Sequence, residues 1–198
     1  IVENNTAKGV EILNSGKKKE IIFCKREIIL SAGAFQSSQL LMLSGIGDER
    51  ELSPFGIKMQ HHLPGVGKNL QDHVWSGVSG LVNIPSGNSL ISPVKQVKAL
   101  LQHMVFGKGP LGNSPLEANA FLKSDEHLRR PDIQFHFAPI GIAPDYSTDI
   151  YNLDSFSRQD GYGILVILVR PESRGFVSLK SADPLMAPVI QPNLLSDQ

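Results

Sequence analysis

The sequence predicts an α/β region followed by an α+β region built around an antiparallel sheet. Residues 27–35, EIILSAGAF, pass from apolar to small side chains and precede a leucine-rich helical pattern, which is typical of a buried strand joined to a helix. Residues 132–140, DIQFHFAPI, alternate polar and apolar side chains, which is typical of a strand with one exposed face. We therefore expect the character of the chain to change near residue 75.

The first region is expected to open with strands around a tight turn. The strands KGVEIL and EIIFCKREIIL flank Asn14-Ser15-Gly16, whose residue types tolerate positive φ angles. The adjacent lysines 17–19 are interpreted as part of a solvated turn. These features predict a hairpin before the buried strand.

Two helices and a loop complete the first region. Ser37 or Ser38 is the expected cap of a helix that ends at Gly45, and residues 49–55 form a shorter helix. Residues 63–73, LPGVGKNLQDH, are rich in Gly and Pro and carry several polar side chains, so we expect an irregular loop.

The second region predicts a helix packed on a sheet. Apolar residues recur at helical spacing from Val94 to Met104. Strands are expected at 132–140, at 161–170 (GYGILVILVR) and at 174–181 (RGFVSLKS), whereas 76–89 is expected to be a loop or weak strand. These elements make the second region α+β.

Composition excludes several classes of protein. The chain has 198 residues and 41% hydrophobic residues, which is the profile of a globular protein. Nineteen basic and nineteen acidic residues cancel, so the overall charge favours neither nucleic acid nor an anionic membrane. The single cysteine, Cys24, cannot form an intrachain disulfide and is compatible with a reducing compartment. No apolar run approaches the ~18 residues that span a bilayer.

One glycine motif is interpreted as accidental. The glycines of FGKGPLGN, residues 106–113, have the G-x-G-x-x-G spacing of dinucleotide-binding loops. Such a loop must follow a strand and begin a helix, but the preceding residues have helical periodicity. Pro110 removes a backbone N–H, and Pro115 opposes the start of a helix. Asp132 lies about where a ribose-binding acid would be needed, but it begins a strand instead of ending one. No nucleotide is therefore expected here.

A second motif is specific. Residues 33–47, GAFQSSQLLMLSGIG, resemble the second signature of the glucose–methanol–choline (GMC) oxidoreductases, a family of flavoproteins. Every constrained position of that signature is filled here: Gly33, Ala34, Ser37, Ser38, Leu40, Leu41, Ser44, Gly45, Ile46 and Gly47. The resemblance to the family continues through 25–34, 63–73, 116–140 and 169–197. At 116–140 it is to the choline-dehydrogenase-like branch.

The resemblance implies FAD as the cofactor and a division into three parts. Residues 1–75 would be the C-terminal part of the FAD-binding region, residues 76–168 the substrate-domain sheet and helix, and residues 169–198 the start of the family's C-terminal region. The family's own nucleotide loop and its catalytic His pair lie outside the matched motifs, and none of the six histidines fits the pair. The chain is therefore expected to be an internal fragment without catalytic residues.

The resemblance also implies cofactor contacts. Ser31, Ala32 and Gly33 would let FAD approach the backbone; simple packing of helix on strand is the alternative. Asn69, Gln71, Asp72 and His73 would lie over the flavin side of the fold; a self-capped surface turn is the alternative. No metal site is expected, because the histidines lack a second ligand at useful spacing.

Substrate contacts are less constrained by the sequence. Glu117 aligns with an acidic residue near the family's substrate cavity, where a carboxylate would stabilise a quaternary ammonium; an exposed loop residue is the alternative. Gln134 and His136 share one strand face, which we interpret as a hydrogen-bonded polar face of the sheet.

The implied reaction is oxidation of a small-molecule alcohol to an aldehyde by hydride transfer to the flavin. A lyase that cleaves cyanohydrins with FAD bound, and a non-catalytic member of the fold, are the alternatives. The residues specify neither the alcohol, the electron acceptor, the oligomeric state nor the compartment.

Overall fold

The computed structural model describes residues 1–14, 18–143, 145, 147–149 and 151–197. These residues form two compact units, one made of residues 1–72 and 172–198 and the other of residues 73–171. The mixed α/β fold class with several antiparallel sheets is confirmed. Residues 15–17, which carry most of the predicted turn, lie outside the described residues.

The described residues form thirteen strands and three α-helices. The strands are β1 (Val2–Glu3), β2 (Thr6–Ala7), β3 (Gly9–Leu13), β4 (Lys19–Phe23), β5 (Ile46–Gly47), β6 (His61–His62), β7 (Lys68–Leu70), β8 (Val74–Leu81), β9 (Ala118–Leu122), β10 (Ile133–Ala138), β11 (Gly161–Leu168), β12 (Gly175–Ser178) and β13 (Val189–Gln191). The helices are α1 (Gly33–Leu43), α2 (Glu49–Leu52) and α3 (Pro93–Phe106). Single 3₁₀ turns occupy Ser53–Phe55, Gly87–Ile91, Pro110–Gly112 and Leu153–Ser155.

The first unit is built around a small core between α1 and a three-stranded sheet. The sheet has the order β13-β12-β7, with both pairs antiparallel. Its core comprises Met42, Leu52, Val66, Val177 and Leu179. Beside the core, the buried Gln39 of α1 donates from Nε2 to the carbonyl oxygen of Met186 at 2.7 Å. These contacts fix α1 and therefore the position of its N-terminus.

The loop at 63–73 is more regular than the sequence predicts. Residues 68–70 form β7, because Gly67 lets the backbone come close to β12. Gly67 has φ of +77°, and its carbonyl oxygen accepts a hydrogen bond from the N–H of Val177 at 2.7 Å. A Cβ at Gly67 would collide with the carbonyl oxygen of Val177. The glycine content therefore marks a close strand contact as well as a turn.

Two local predictions around α1 are wrong. Residues 27–30 do not form a strand, and Ile29 is 77% exposed. A strand needs hydrogen-bonding neighbours, and no described segment pairs with these residues. Neither Ser37 nor Ser38 caps the helix, because α1 begins four residues earlier, after Ala32. The predicted end of α1 at Gly45 agrees with its C-cap at Ser44.

The second unit contains a four-stranded antiparallel sheet in the order β8-β11-β10-β9. Residues 74–81 form a full eight-residue strand here, although the sequence predicts a loop or weak strand at 76–89. Two glycines and two serines in VWSGVSGL weaken the strand pattern, but β11 pairs with every residue of β8. Tertiary pairing thus overrides local propensity. The strands expected near 132–140 and 161–170 are present.

A buried asparagine ties three segments of the second unit together. The side chain of Asn88, 1% exposed, accepts from the N–H of Gly141 at 2.7 Å and donates to the carbonyl oxygens of Gly141 and Ser157 at 3.0 and 2.9 Å. Nearby, the N–H and then the hydroxyl of Ser86 hold the pKa of the Asp160 carboxyl below its ordinary value. These bonds fasten both ends of the connection between β10 and β11.

Candidate cofactor site

The segment Ser31–Gly33 lies at the N-terminus of α1 and is open to solvent. Ala32 is the N-cap residue, and no side chain caps the helix there. The hydroxyl of Ser37 instead accepts a hydrogen bond from the backbone N–H of Ala32, with 3.1 Å between the nitrogen and Oγ. Ser31, Ala32 and Gly33 are all exposed. The N–H groups of the first turn of an eleven-residue helix therefore face open space, where their partial positive charge favours electron-rich groups.

The backbone at Gly33 borders open space. Its φ is +85°, and a Cβ built there would meet nothing within 4 Å. The backbone is thus unobstructed on this side, which is the arrangement expected where a bulky molecule contacts the main chain. The small residues are visible in the sequence, whereas the free volume beside them is visible only in the structure.

Exposed apolar side chains flank this segment along the chain. Ile29, Leu30, Phe35 and Leu40 are 77%, 39%, 37% and 41% exposed. Large apolar side chains beside uncapped amides form a surface suited to a flat molecule with an apolar body and polar edges. An isoalloxazine ring has that character, so the residues present fit the cofactor.

The predicted loop residues lie at the end of β7. Asn69 has φ of +58°, a left-handed conformation that asparagine tolerates. Asn69, Gln71 and Asp72 are exposed and belong to the first unit, as do Ser31–Gly33, and the two segments are linked through β12, which contacts α1 and pairs with β7. His73 is exposed and is the first residue of the second unit.

Glu117 lies in the second unit, immediately before β9. It is exposed, and its backbone N–H donates to the carbonyl oxygen of Phe137 at 3.1 Å. The backbone is therefore held by the edge of the sheet while the carboxylate can meet a ligand from solvent. The described residues do not place Glu117 in the same unit as Ser31–Gly33.

The hydrogen bonding predicted for His136 is wrong at one of its ring nitrogens. His136 of β10 is paired with Leu165 and Asn119 across the sheet, and its Nδ1 atom is buried without a hydrogen-bond partner among the described residues. A buried nitrogen without a hydrogen-bond partner is uncommon. When such a polar atom is buried it loses its hydrogen bonds to water, and without a new partner this costs about 1–3 kcal/mol. The sequence predicts that His136 belongs to a fully hydrogen-bonded polar face, and the structure does not bear this out. The alternation of residues in the strand shows on which face the His136 side chain lies, but not whether that side chain has a hydrogen-bond partner.

No group of three metal-ligating side chains occurs among the described residues. A shallow cavity of about 300 Å³ in the first unit lies beside the ion pair of Lys68 and Glu51, with the Lys68 ammonium 5.7 Å from the centre of the Phe176 ring. It contains none of the predicted cofactor residues. No helix in the described ranges has the length and apolar character to cross a membrane.

Comparisons with known proteins define the class. Residues 1–75 match the family model described as GMC oxidoreductase. The oxygen-dependent choline dehydrogenase of Rhizobium etli is 37% identical over 197 residues, 99% of this chain and 34% of the relative. Human mitochondrial choline dehydrogenase is 36% identical over 199 residues, all of this chain and 32% of the relative. The chain thus spans about a third of the length of these relatives.

A solved structure is similar over the whole chain. A structure of Aspergillus oryzae formate oxidase, determined in a study of FAD modification, aligns with a TM-score of 0.80 at 28% identity and covers 100% of this chain and 38% of that one. The chain belongs to the GMC oxidoreductase family. Within it, the chain is choline-dehydrogenase-like, and its family and the formate oxidase structure support FAD as the cofactor.

Proposed function

We propose that this chain forms part of the FAD site and of the substrate sheet of an enzyme that oxidises an alcohol to an aldehyde. The observation that carries the proposal is the open N-terminus of α1, with uncapped amides and a Gly33 of positive φ that faces empty space. When bound, the flavin would accept hydride from the carbinol carbon. The whole enzyme's substrate is part of this proposal, since the chain spans only about a third of its relatives.

The chain's own residues would bind and orient the cofactor. Ser31, Ala32 and Gly33 would offer a backbone edge without bulky side chains, and the first-turn N–H groups of α1 would stabilise electron density on the ligand. Asn69, Gln71, Asp72 and His73 would flank the cofactor with polar groups. The exposed apolar side chains near Ser31 would exclude water from the ring.

Glu117 is the proposed substrate contact. The Rhizobium etli and human relatives are named choline dehydrogenases, and choline carries a quaternary ammonium. An exposed carboxylate on a fixed backbone would stabilise that charge without needing a hydrogen bond from it. This assignment predicts a preference for cationic over neutral alcohols.

The cofactor assignment predicts that Gly33→Leu lowers flavin affinity by about tenfold to a hundredfold, because the side chain would fill the space proposed for the ring. Gly56→Leu is the matched control, since Gly56 is exposed, has φ of +69° and also faces empty space. Both variants carry the same type of backbone strain. Flavin absorbance per protein in the purified enzyme, produced from its complete reading frame, measures the effect.

Equal flavin loss in the Gly33→Leu and Gly56→Leu variants would contradict the cofactor assignment, because it would show that strain alone explains the effect. Retention of flavin by both would also contradict it. Only selective loss in the first variant supports a cofactor beside Gly33.

The reaction is tested by adding choline to the flavin-loaded enzyme without oxygen. An alcohol oxidoreductase is expected to lose the absorbance of oxidised flavin, because hydride leaves the substrate for the ring. An enzyme that cleaves cyanohydrins without net redox chemistry would leave the flavin oxidised, as would a non-catalytic member. Bleaching by formate but by no alcohol would place the enzyme with the formate oxidase neighbour and refute the proposed substrate class.

A further inference from the structure

Two adjacent serines of α1 use their hydroxyl groups in different ways. Ser38 donates to the carbonyl oxygen of Ala34 at 2.8 Å, four residues earlier, which is common for a serine inside a helix. Ser37 has no bond of that kind among the described residues. Its hydroxyl oxygen instead accepts from the backbone N–H of Ala32, which precedes the helix. Ser37 therefore ties the first turns of α1 to the segment before it.

This bond fixes the orientation of one peptide group. The peptide between Ser31 and Ala32 is trans, so its carbonyl oxygen points to the opposite side from its N–H. By holding the N–H of Ala32, Ser37 also sets the direction of the Ser31 carbonyl. The next residue, Gly33, has no Cβ to restrict its backbone, so without this bond the peptide group would rotate more freely.

The bond also determines which N–H groups remain for a ligand. The N–H groups of the N-cap residue and of the first three residues of a helix have no partner within the helix. In α1 these belong to Ala32, Gly33, Ala34 and Phe35. Ser37 occupies the N–H of Ala32, which leaves those of the other three residues for a ligand. The donors offered at this end of α1 are therefore a defined set.

We propose that Ser37 is a positioning residue of the cofactor site, which holds the main chain of Ser31–Gly33 in its ligand-binding orientation before FAD binds. The inference rests on the proposed function, because it requires the cofactor to contact that main chain. It does not require Ser37 itself to touch FAD. A main chain that is already oriented loses less conformational entropy on binding, so the flavin is held more tightly.

The test compares Ser37→Ala with Ser38→Ala in the flavin-loaded enzyme, produced from its complete reading frame. Both serines are half-buried neighbours in α1, so the two changes alter helix propensity equally. Only Ser37→Ala removes the bond to Ala32. Flavin should leave this variant about three- to tenfold faster, as expected for the loss of one hydrogen bond, and should leave Ser38→Ala at the unmodified rate. The rise in flavin fluorescence after dilution measures the release.

Two further measurements separate positioning from a general loss of structure. Hydrogen exchange at the Ala32 amide reports the bond itself and should become faster in Ser37→Ala but not in Ser38→Ala. Ser37→Thr keeps a hydroxyl group and should restore slow flavin release. Unchanged exchange at Ala32 in Ser37→Ala would overturn the inference. So would equal flavin release from the two alanine variants, or fast release that persists in Ser37→Thr.

Failure of this inference is distinguishable from failure of the proposed function. If Gly33→Leu selectively loses flavin while Ser37→Ala releases it at the unmodified rate, the cofactor site stands and only the role of Ser37 is refuted. If Gly33→Leu also retains its flavin, the cofactor does not lie beside Gly33, and both are refuted.

Discussion

Gly67→Ala should destabilise the first unit by about 3 kcal/mol. The residue holds a left-handed conformation that costs a non-glycine residue about 1–2 kcal/mol. A methyl group there would also collide with the carbonyl oxygen of Val177, whose own side chain is 1% exposed in the core. Relief would require β7 to move away from β12, and the hydrogen bond from the Val177 N–H to Gly67 would lengthen or break.

Hydrogen exchange of the Val177 amide measures this effect. The expected fall in the free energy of local opening corresponds to about a hundredfold faster exchange. Gly65→Ala is the matched control, because a Cβ at Gly65 meets nothing within 4 Å, and its effect should stay within about 0.5 kcal/mol. Equal protection of Val177 in the two variants would show that the close approach of β7 to β12 is not needed for the fold.

Asn88→Ala should destabilise the second unit by about 3–5 kcal/mol. The change would leave the N–H and carbonyl of Gly141 and the carbonyl of Ser157 without their partner. Each buried group that loses its hydrogen bond costs about 1–3 kcal/mol, and the bonds share one side chain, so they are lost together. The connection between β10 and β11 would then open at both ends.

Hydrogen exchange at the Gly141 amide reports this loss directly, since that N–H donates to Asn88. Asn113→Ala serves as the control because Asn113 is exposed, and its effect should be within about 0.5 kcal/mol. If exchange at Gly141 were no faster in the Asn88→Ala variant, the bonds of Asn88 would not be what holds the connection.

The sequence predicts the elements whose pattern depends on local spacing. The leucine-rich helix that ends at Gly45, the helix from Val94 and the alternation at 132–140 all depend on the type and spacing of side chains, and the structure contains each of them. Asn88 could not be singled out in this way, because its partners are 53 and 69 residues away along the chain. A polar group whose hydrogen-bond partners are distant along the chain leaves no pattern in the sequence around it.

The failed predictions share a physical cause. Residues 27–30 have the composition of a buried strand but form none, because pairing depends on neighbours and not on composition. Residues 74–81 have a weak strand pattern but pair fully with β11. At the candidate site, the small residues of Ser31–Gly33 indicate close approach to a ligand, but the open volume and the uncapped helix are visible only in the structure. The assignments of the site residues and of the three domains stay predictions.

The most direct test of the cofactor site is an experimental structure of the enzyme with its flavin bound. The expected result is FAD within hydrogen-bonding distance of a backbone N–H between Ser31 and Ala34, with the space beside Gly33 filled by the cofactor. A structure in which FAD lies elsewhere, and protein side chains fill the space beside Gly33, would contradict it.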